Sequence, residues 1–224
     1  GEWARWHLTW STEYAVQHAT KVIAVSQFTK RALMERLGAD ARRIEVIYEG
    51  VSFARHSLVV LQGSVLKRYR LVARGYILFI GTIQPRKNLI RLIEAFSKLS
   101  TLNSQLSTKL VIAGKLGWQY EDVLAAPKKF GVEDKVVFTG FLPDAEREVL
   151  LANALVYVQP SLTEGFGLPV LEAMAAGAPV VCSGAGALPE IGGEAAVYFD
   201  PESVDEIEEA LNKVISGAGL RAEL

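Results

Sequence analysis

Residues 76–99 read YILFIGTIQPRKNLIRLIEAFSKL. An apolar run from Tyr76 to Ile80 ends at a glycine, and a polar loop follows. From Leu89 the apolar residues change period, with Leu89, Leu92, Ile93, Phe96 and Leu99 returning at steps of three and four. A short continuous apolar run suits a strand buried on both faces, and the longer period marks one face of a helix. The stretch therefore predicts a strand over Ile77–Ile80 and a helix over Asn88–Leu99.

The alternation continues downstream. Strands are expected at Lys109–Ala113, Lys135–Phe138, Ala154–Val158 and Val180–Cys182. Helices are expected at Tyr120–Phe130 (despite Pro127), Asp144–Asn153, Pro169–Ala176 and Glu206–Ser216. Residues 100–108 are polar and turn-like. Upstream, Trp3, Trp6, Trp10, Tyr14 and Gln17 recur at helical spacing. Three tryptophans on one stripe are costly to leave in water, so that helix is expected to face a core, with a carbohydrate-stacking stripe as the alternative. Val22–Ser26 reads as a strand. Ser26 caps a helix over Gln27–Leu37, Gly38 stops it, and Ile44–Ile47 is a second strand. Between residues 49 and 75 the pattern breaks, apart from a short basic helix expected at Val65–Leu71.

Strands alternating with helices, each strand Val- and Ile-rich, predict an α/β fold: a Rossmann-like, doubly wound parallel sheet. The expected organisation is the end of one domain over residues 1–50, a linker over 51–75 and a complete domain over 76–224. The 224 residues are 50% apolar and 22% charged, a globular composition that rules out disorder. Lys and Arg number 24 against 25 Asp and Glu, a net charge of −1, so the basic excess of a non-specific nucleic-acid binder is missing. The one cysteine, Cys182, forbids an intrachain disulfide and is expected as inert packing in a buried strand. No apolar run approaches the roughly 20 residues of a membrane helix. A first residue other than Met points to a piece of a longer chain, and a cytoplasmic location is expected, with peripheral attachment to the membrane face as an option.

Ligands of a parallel sheet bind beyond the carboxyl ends of the strands. After Ile80 come Gly81, Thr82 and the adjacent cations Arg86 and Lys87, just ahead of a helix. Two cations beside a helix N-terminus make an anion site; a solvated pair on an exposed turn is the plainer alternative. After Val158 comes Pro160-Ser161-Leu162-Thr163-Glu164-Gly165-Phe166-Gly167-Leu168-Pro169. Its glycines leave the approach to the next helix bare, where backbone N–H groups reach hydroxyls and phosphate oxygens. Glu172 is read in the first turn of that helix, where the dipole alone would favour it. Glu164 lies outside the helix and is expected to accept hydrogen bonds from sugar hydroxyls. The turn Gly140-Phe141-Leu142 offers an apolar wall suited to a nucleobase, or is an ordinary turn. Ser183–Glu190 is small-residue loop that either admits a ligand or connects two elements.

No Asp-x-Asp pair is present, and no Walker loop or Gly-x-Gly-x-x-Gly fingerprint. His7, His18 and His56 lack ligand spacing and are read as structural or surface residues.

The loop Gly81…Arg86-Lys87-Asn88, followed by Glu164-Gly165-Phe166-Gly167-Leu168-Pro169-x-x-Glu172-Ala173, resembles the group 1 (family 4) retaining glycosyltransferases of the GT-B fold. The resemblance covers roughly residues 15–216. It implies two Rossmann-like domains facing a cleft, a nucleotide-diphosphate sugar donor such as a UDP- or GDP-sugar, and a sugar or lipid-linked sugar acceptor. Mannose and glucose are the expected sugars, and no metal or other cofactor is expected. Residues 76–216 match the donor domain and residues 1–48 the end of the acceptor domain. By that resemblance Arg86 and Lys87 hold the donor diphosphate, Glu164 contacts the transferred sugar and Glu172 the ribose. Gly165, Phe166, Gly167 and Leu168 contact sugar and phosphate through the backbone, and Gly140, Phe141 and Leu142 lie near the base. Arg86, Lys87 and Glu164 are the residues expected to carry catalysis. Most of the acceptor domain, with the acidic or histidine residue that relatives place near the reacting sugar, has no match here, so weak or no transfer is expected of this chain alone. The alternatives are a glycosidase using Glu164 and Glu172, a nucleotide-sugar epimerase of the same fold, and a module that only binds the donor.

Overall fold

A computed structural model describes residues 2–51, 58–102 and 108–224. The chain divides into two compact units, residues 1–50 and 51–224.

The first unit holds helix α1 (Glu2–His18), strand β1 (Val22–Ala24), helix α2 (Gln27–Leu37) and strand β2 (Ile44–Val46). The two strands pair in parallel, Val22 opposite Ile44. Ser26 caps α2 by accepting the Thr29 N–H at 2.9 Å, and Gly38 closes it in the left-handed region, both as expected. The tryptophan stripe departs from expectation. Trp3, Trp6 and Trp10 are 74%, 62% and 50% exposed. Among the described residues none covers that face. The rings stack along the helix instead, Trp6 on Trp10 at 6.3 Å and Trp10 on Tyr14 at 5.5 Å between centroids.

The second unit is a six-stranded parallel sheet in the order β5-β4-β3-β6-β7-β8. Its strands are β3 (Tyr76–Ile80), β4 (Lys109–Ala113), β5 (Val136–Gly140), β6 (Val156–Gln159), β7 (Val180–Ser183) and β8 (Ala196–Phe199). The edge strand β8 is absent from the sequence reading; its four residues follow two glycines and give too short a period to register. Alternate strand residues face opposite sides. Ile77, Phe79, Leu110 and Ile112 pack on helices α4 (Leu89–Leu102), α5 (Glu121–Lys129) and α9 (Val204–Ser216). Tyr76, Leu78, Val111, Tyr157 and Cys182 pack on the other side against α3 (Leu58–Arg68), α6 (Asp144–Asn153) and α7 (Leu168–Ala175). Cys182 is fully buried, and burial pushes its thiol up to about 12, in keeping with packing.

Two expectations change here. The stretch read as a linker carries α3, whose Val65 and Leu66, with Leu71 beyond it, are buried in that second core. Helix α4 runs on through Leu102 where a turn was expected, with Ser100 buried; residues 103–107 lie outside the described residues, as does His56. Two short helices close the inventory, α8 (Leu188–Gly192) and α10 (Ala218–Glu223), neither of them expected.

The strand order locates the site. From β3 the chain builds outward through β4 and β5, then returns to β3's other side for β6, β7 and β8. The loops leaving β3 and β6 thus diverge at the reversal of strand order, where an open parallel sheet forms its crevice.

Candidate active site

Those two loops carry the residues singled out above. After β3, Pro85–Lys87 forms a single 3-10 turn, and Asn88 follows with φ 57°. Asn88 is buried. Its Nδ2 donates to the carbonyls of Pro160 at 3.0 Å and Pro201 at 2.7 Å, tying the loops after β3, β6 and β8 together. The Leu162 N–H donates to the Arg86 carbonyl at 2.9 Å, a second tie between the loops.

So held, the two cations meet Glu164. Arg86 Nη1 donates to Glu164 Oε2 and Lys87 Nζ to Oε1, each at 2.6 Å. Arg86 also reaches the Thr163 carbonyl at 2.6 Å. Lys87 and Glu164 are nearly buried, their side chains 10% and 11% exposed, whereas Arg86 is 39% exposed. Burial alone would raise the Glu164 carboxyl, but hydrogen bonds from Lys87, Ser161 and Arg86 outweigh it and hold the group below its ordinary range. The sequence reading gave the cations and Glu164 separate tasks; the fold makes them one ionic cluster.

The loop after β7 braces Glu164 from behind. The Ala187 N–H donates to the Glu164 carbonyl at 3.0 Å. Gly186, at φ 70°, leaves no room for a side chain, since a Cβ there would lie 2.7 Å from the Glu164 backbone. Bracing Glu164 is a role that neither expectation for Ser183–Glu190 included.

A cavity of about 370 Å³ opens at the ends of β3, β4 and β5, lined by Gly81, Thr82, Lys115, Phe141, Leu142 and Arg147 among others. Lys115 Nζ sits 4.7 Å from the centre of the exposed Phe141 ring. Gly140 turns the chain at φ 70° and its carbonyl accepts the Gly114 N–H. Arg147, which the sequence reading missed, links this cavity to α7 by pairing with Glu172 at 3.3 Å. Helix α7 starts at Leu168, so Glu172 stands in its second turn, not its first, and the dipole does not explain it. Burial pushes the Glu172 carboxyl above its ordinary range, against the pull of Arg147. Glu164 and Glu172 are engaged by cations on different elements, Glu164 by the β3 loop and Glu172 by α6.

Gly165, Phe166 and Gly167 connect Glu164 to α7, and Phe166 is buried. The sequence reading also passed over Gln159 and Asn88. Gln159 is a polar residue closing an apolar strand, and that incongruity was the available signal.

The family model for glycosyl transferases group 1 matches residues 71–224, more than half of the chain. The chain belongs to the group 1 glycosyltransferases. A second model, Glycosyltransferase Family 4, matches residues 1–55 of this glycosyltransferase. It is 36% identical to O-antigen chain mannosyltransferase B of Escherichia coli over 88% of this chain and 52% of the relative. It is 39% identical to the MMP alpha-(1->4)-mannosyltransferase of Mycolicibacterium hassiacum over 58% of this chain and 32% of the relative. Its fold matches the crystal structure of Anabaena Alr3699/HepE in complex with UDP and glucose, with a TM-score of 0.81 at 22% identity, covering 96% of this chain and 58% of that one. The glycosyltransferase chain covers from 25% to 55% of the length of the curated relatives it matches. Among the described residues, no helix is long and apolar enough to cross a membrane.

Proposed function

We propose that this glycosyltransferase binds a nucleotide-diphosphate hexose in the crevice between the β3 and β6 loops and transfers the hexose, with retention, to a sugar or lipid-linked sugar acceptor. The observation that carries the reading is the convergence of Arg86, Lys87 and Glu164 from the two loops at the switch in strand order. The acceptor is held mainly by the remainder of the longer protein, whose acceptor domain includes residues 1–50.

In this reading the base and ribose occupy the cavity, with Phe141 and Leu142 as its wall and Glu172 on the ribose. The diphosphate faces Arg86, Lys87 and the start of α7, and Glu164 orients the sugar. Breaking the bond between the anomeric carbon and the phosphate oxygen leaves negative charge on the diphosphate. An Arg has five N–H donors and a Lys three, so both cations can hold Glu164 and still turn donors toward phosphate. Prepositioned cations in a partly desolvated site stabilise charge as it develops, so the reaction needs no bound metal for this step. Gly165, Gly167 and Leu168 bring backbone close to sugar and phosphate. UDP-, GDP- and ADP-hexoses fit this chemistry alike. Mannose is the first sugar to test, since the curated relatives include mannosyltransferases.

Metal-free calorimetric titration with UDP, GDP and ADP tests the reading. Binding of one of them, abolished by Arg86→Ala, is expected and names the base. Failure of the full-length protein to bind any of the three refutes it.

A further inference from the structure

Beneath Glu164 lies a chain of buried polar groups, of which only Ser161, a hydrogen-bond partner of Glu164, has been given a role so far. Tyr157 and Gln159 point from β6, and Ser161 follows in its loop; all three are at most 1% exposed. The Tyr157 hydroxyl donates to Gln159 Oε1. Gln159 Nε2 donates to Ser161 Oγ at 2.8 Å and to Glu164 Oε1 at 3.2 Å.

The chemistry of each atom dictates this direction. An ionised carboxylate only accepts hydrogen bonds, so the amide nitrogen, not its oxygen, must face Glu164. The amide oxygen is thereby turned back into the core, where it needs a donor. Tyr157 is that donor: burial raises its hydroxyl well above the ordinary phenol range, so it stays protonated. Both amide hydrogens and the amide oxygen are then used. The side chain has one orientation that satisfies it, and its backbone is a paired strand residue opposite Cys182. Lys87 and Arg86 approach Glu164 on long, flexible side chains, whereas Gln159 approaches on a rigid element.

We propose that Gln159, held from below by Tyr157, is the positioning residue that fixes the Glu164 carboxylate in the donor crevice. The inference rests on the proposed role of Glu164 toward the donor sugar. Arg86 and Lys87 supply charge to the site; Gln159 supplies direction. Its neutral amide tethers the carboxylate without adding charge next to the diphosphate, and without a proton to exchange near neutral pH.

Two measurements test this. The first is carboxyl-carbon NMR titration of Glu164 in this chain. Gln159→Met keeps the length of the side chain and removes its donors, so Glu164 should titrate at higher pH than in the parent. Tyr157→Phe frees the amide oxygen and should give a smaller displacement in the same direction, and it serves if Gln159→Met does not fold. An unmoved titration in a folded variant overturns the proposal. The second is turnover by the full-length protein. Gln159→Met should lower kcat about tenfold, the effect of one hydrogen bond to a charged group, with the donor KM little changed because the cations still grip the diphosphate. In a Glu164→Gln background the same change should cost nothing further; an equal loss there means a general packing role and overturns it. If the parent full-length protein transfers no hexose at all, the functional reading fails, and the NMR titration still decides the tether.

Discussion

Replacing Glu164 with Gln tests the ionic cluster most directly, because shape is kept and one charge is removed. The side chain is 11% exposed and faces Lys87, 10% exposed, across 2.6 Å. Removing one partner of a fully buried ion pair costs about 3–5 kcal/mol, and a single hydrogen bond to a charged group is worth about 1.5–3 kcal/mol. Here Arg86 is 39% exposed and can turn to water, so the Lys87 contact carries most of the loss. The expected destabilisation is about 2–3 kcal/mol, which for a domain of this size lowers Tm by roughly 4–12 °C. Nucleoside diphosphate binding should respond in the opposite sense. The cluster goes from two cations and one anion to two cations, so the diphosphate meets no competing carboxylate and its affinity is kept or increased. Saturating nucleotide at a hundred times Kd should restore about 2.7 kcal/mol. Hexose transfer by the full-length protein should fall steeply, to a residual rate that stays measurable. Thermal unfolding with and without UDP or GDP reads the first two effects. A variant that melts with the parent refutes the coupling of Glu164 to Lys87. A variant that loses nucleotide binding shows that Arg86 and Lys87 meet the diphosphate only while Glu164 holds them in place, and refutes the expected gain in affinity.

Glu172→Gln should behave differently. Its folded carboxyl sits above the ordinary range, so the charged form destabilises the fold at neutral pH; the variant should melt higher at pH 7 while nucleotide affinity falls roughly tenfold, one charge-assisted bond. Glu164 has the reverse linkage: its contribution is complete above its ordinary value near 4.5 and fades as pH falls through its lower folded value, so acid unfolding of Glu164→Gln should be shallower in that window. Gly114→Ala should cost about 3–5 kcal/mol in denaturant unfolding, because φ is 144° and the new Cβ would fall 2.0 Å from the Gly81 carbonyl oxygen. Asn88→Ala should cost about 2–4 kcal/mol and weaken nucleotide binding, since two buried carbonyls lose their donor and an alanine must hold φ 57°; Asn88→Gly, which relieves only the backbone, should recover part of the stability and none of the loop ties.

The order of strands and helices from residue 76 to 183 was legible because each element is long and periodic enough to announce itself. Tyr76–Ile80 and Leu89–Leu99 differ in period, and nothing in their composition conflicts with that reading. The elements that escaped, α8, β8 and α10, are four to six residues long, too short for a period of their own to show. The tryptophan stripe was correctly helical and wrongly core-facing: periodicity shows which residues share a face, not whether a second layer exists to cover it.

The candidate site divides in the same way. Residue types and local spacing were enough to select Arg86, Lys87, Glu164 and Glu172, because adjacent cations before a helix and carboxylates around a glycine pair are local chemical signals. That Arg86 and Lys87 meet Glu164, 77 or 78 positions along the chain, is a consequence of the sheet, since β3 and β6 become neighbours only when the strand order reverses. The same holds for Arg147 with Glu172, and for Tyr157 and Gln159 beneath the cluster. A single sequence records which groups are present and which neighbours share a helix face or a strand face. Partners from separate elements, and with them the charge, burial and direction of each group, are set by long-range packing, in which a carboxylate that is ordinary on paper becomes one anion shared by two cations and a buried amide.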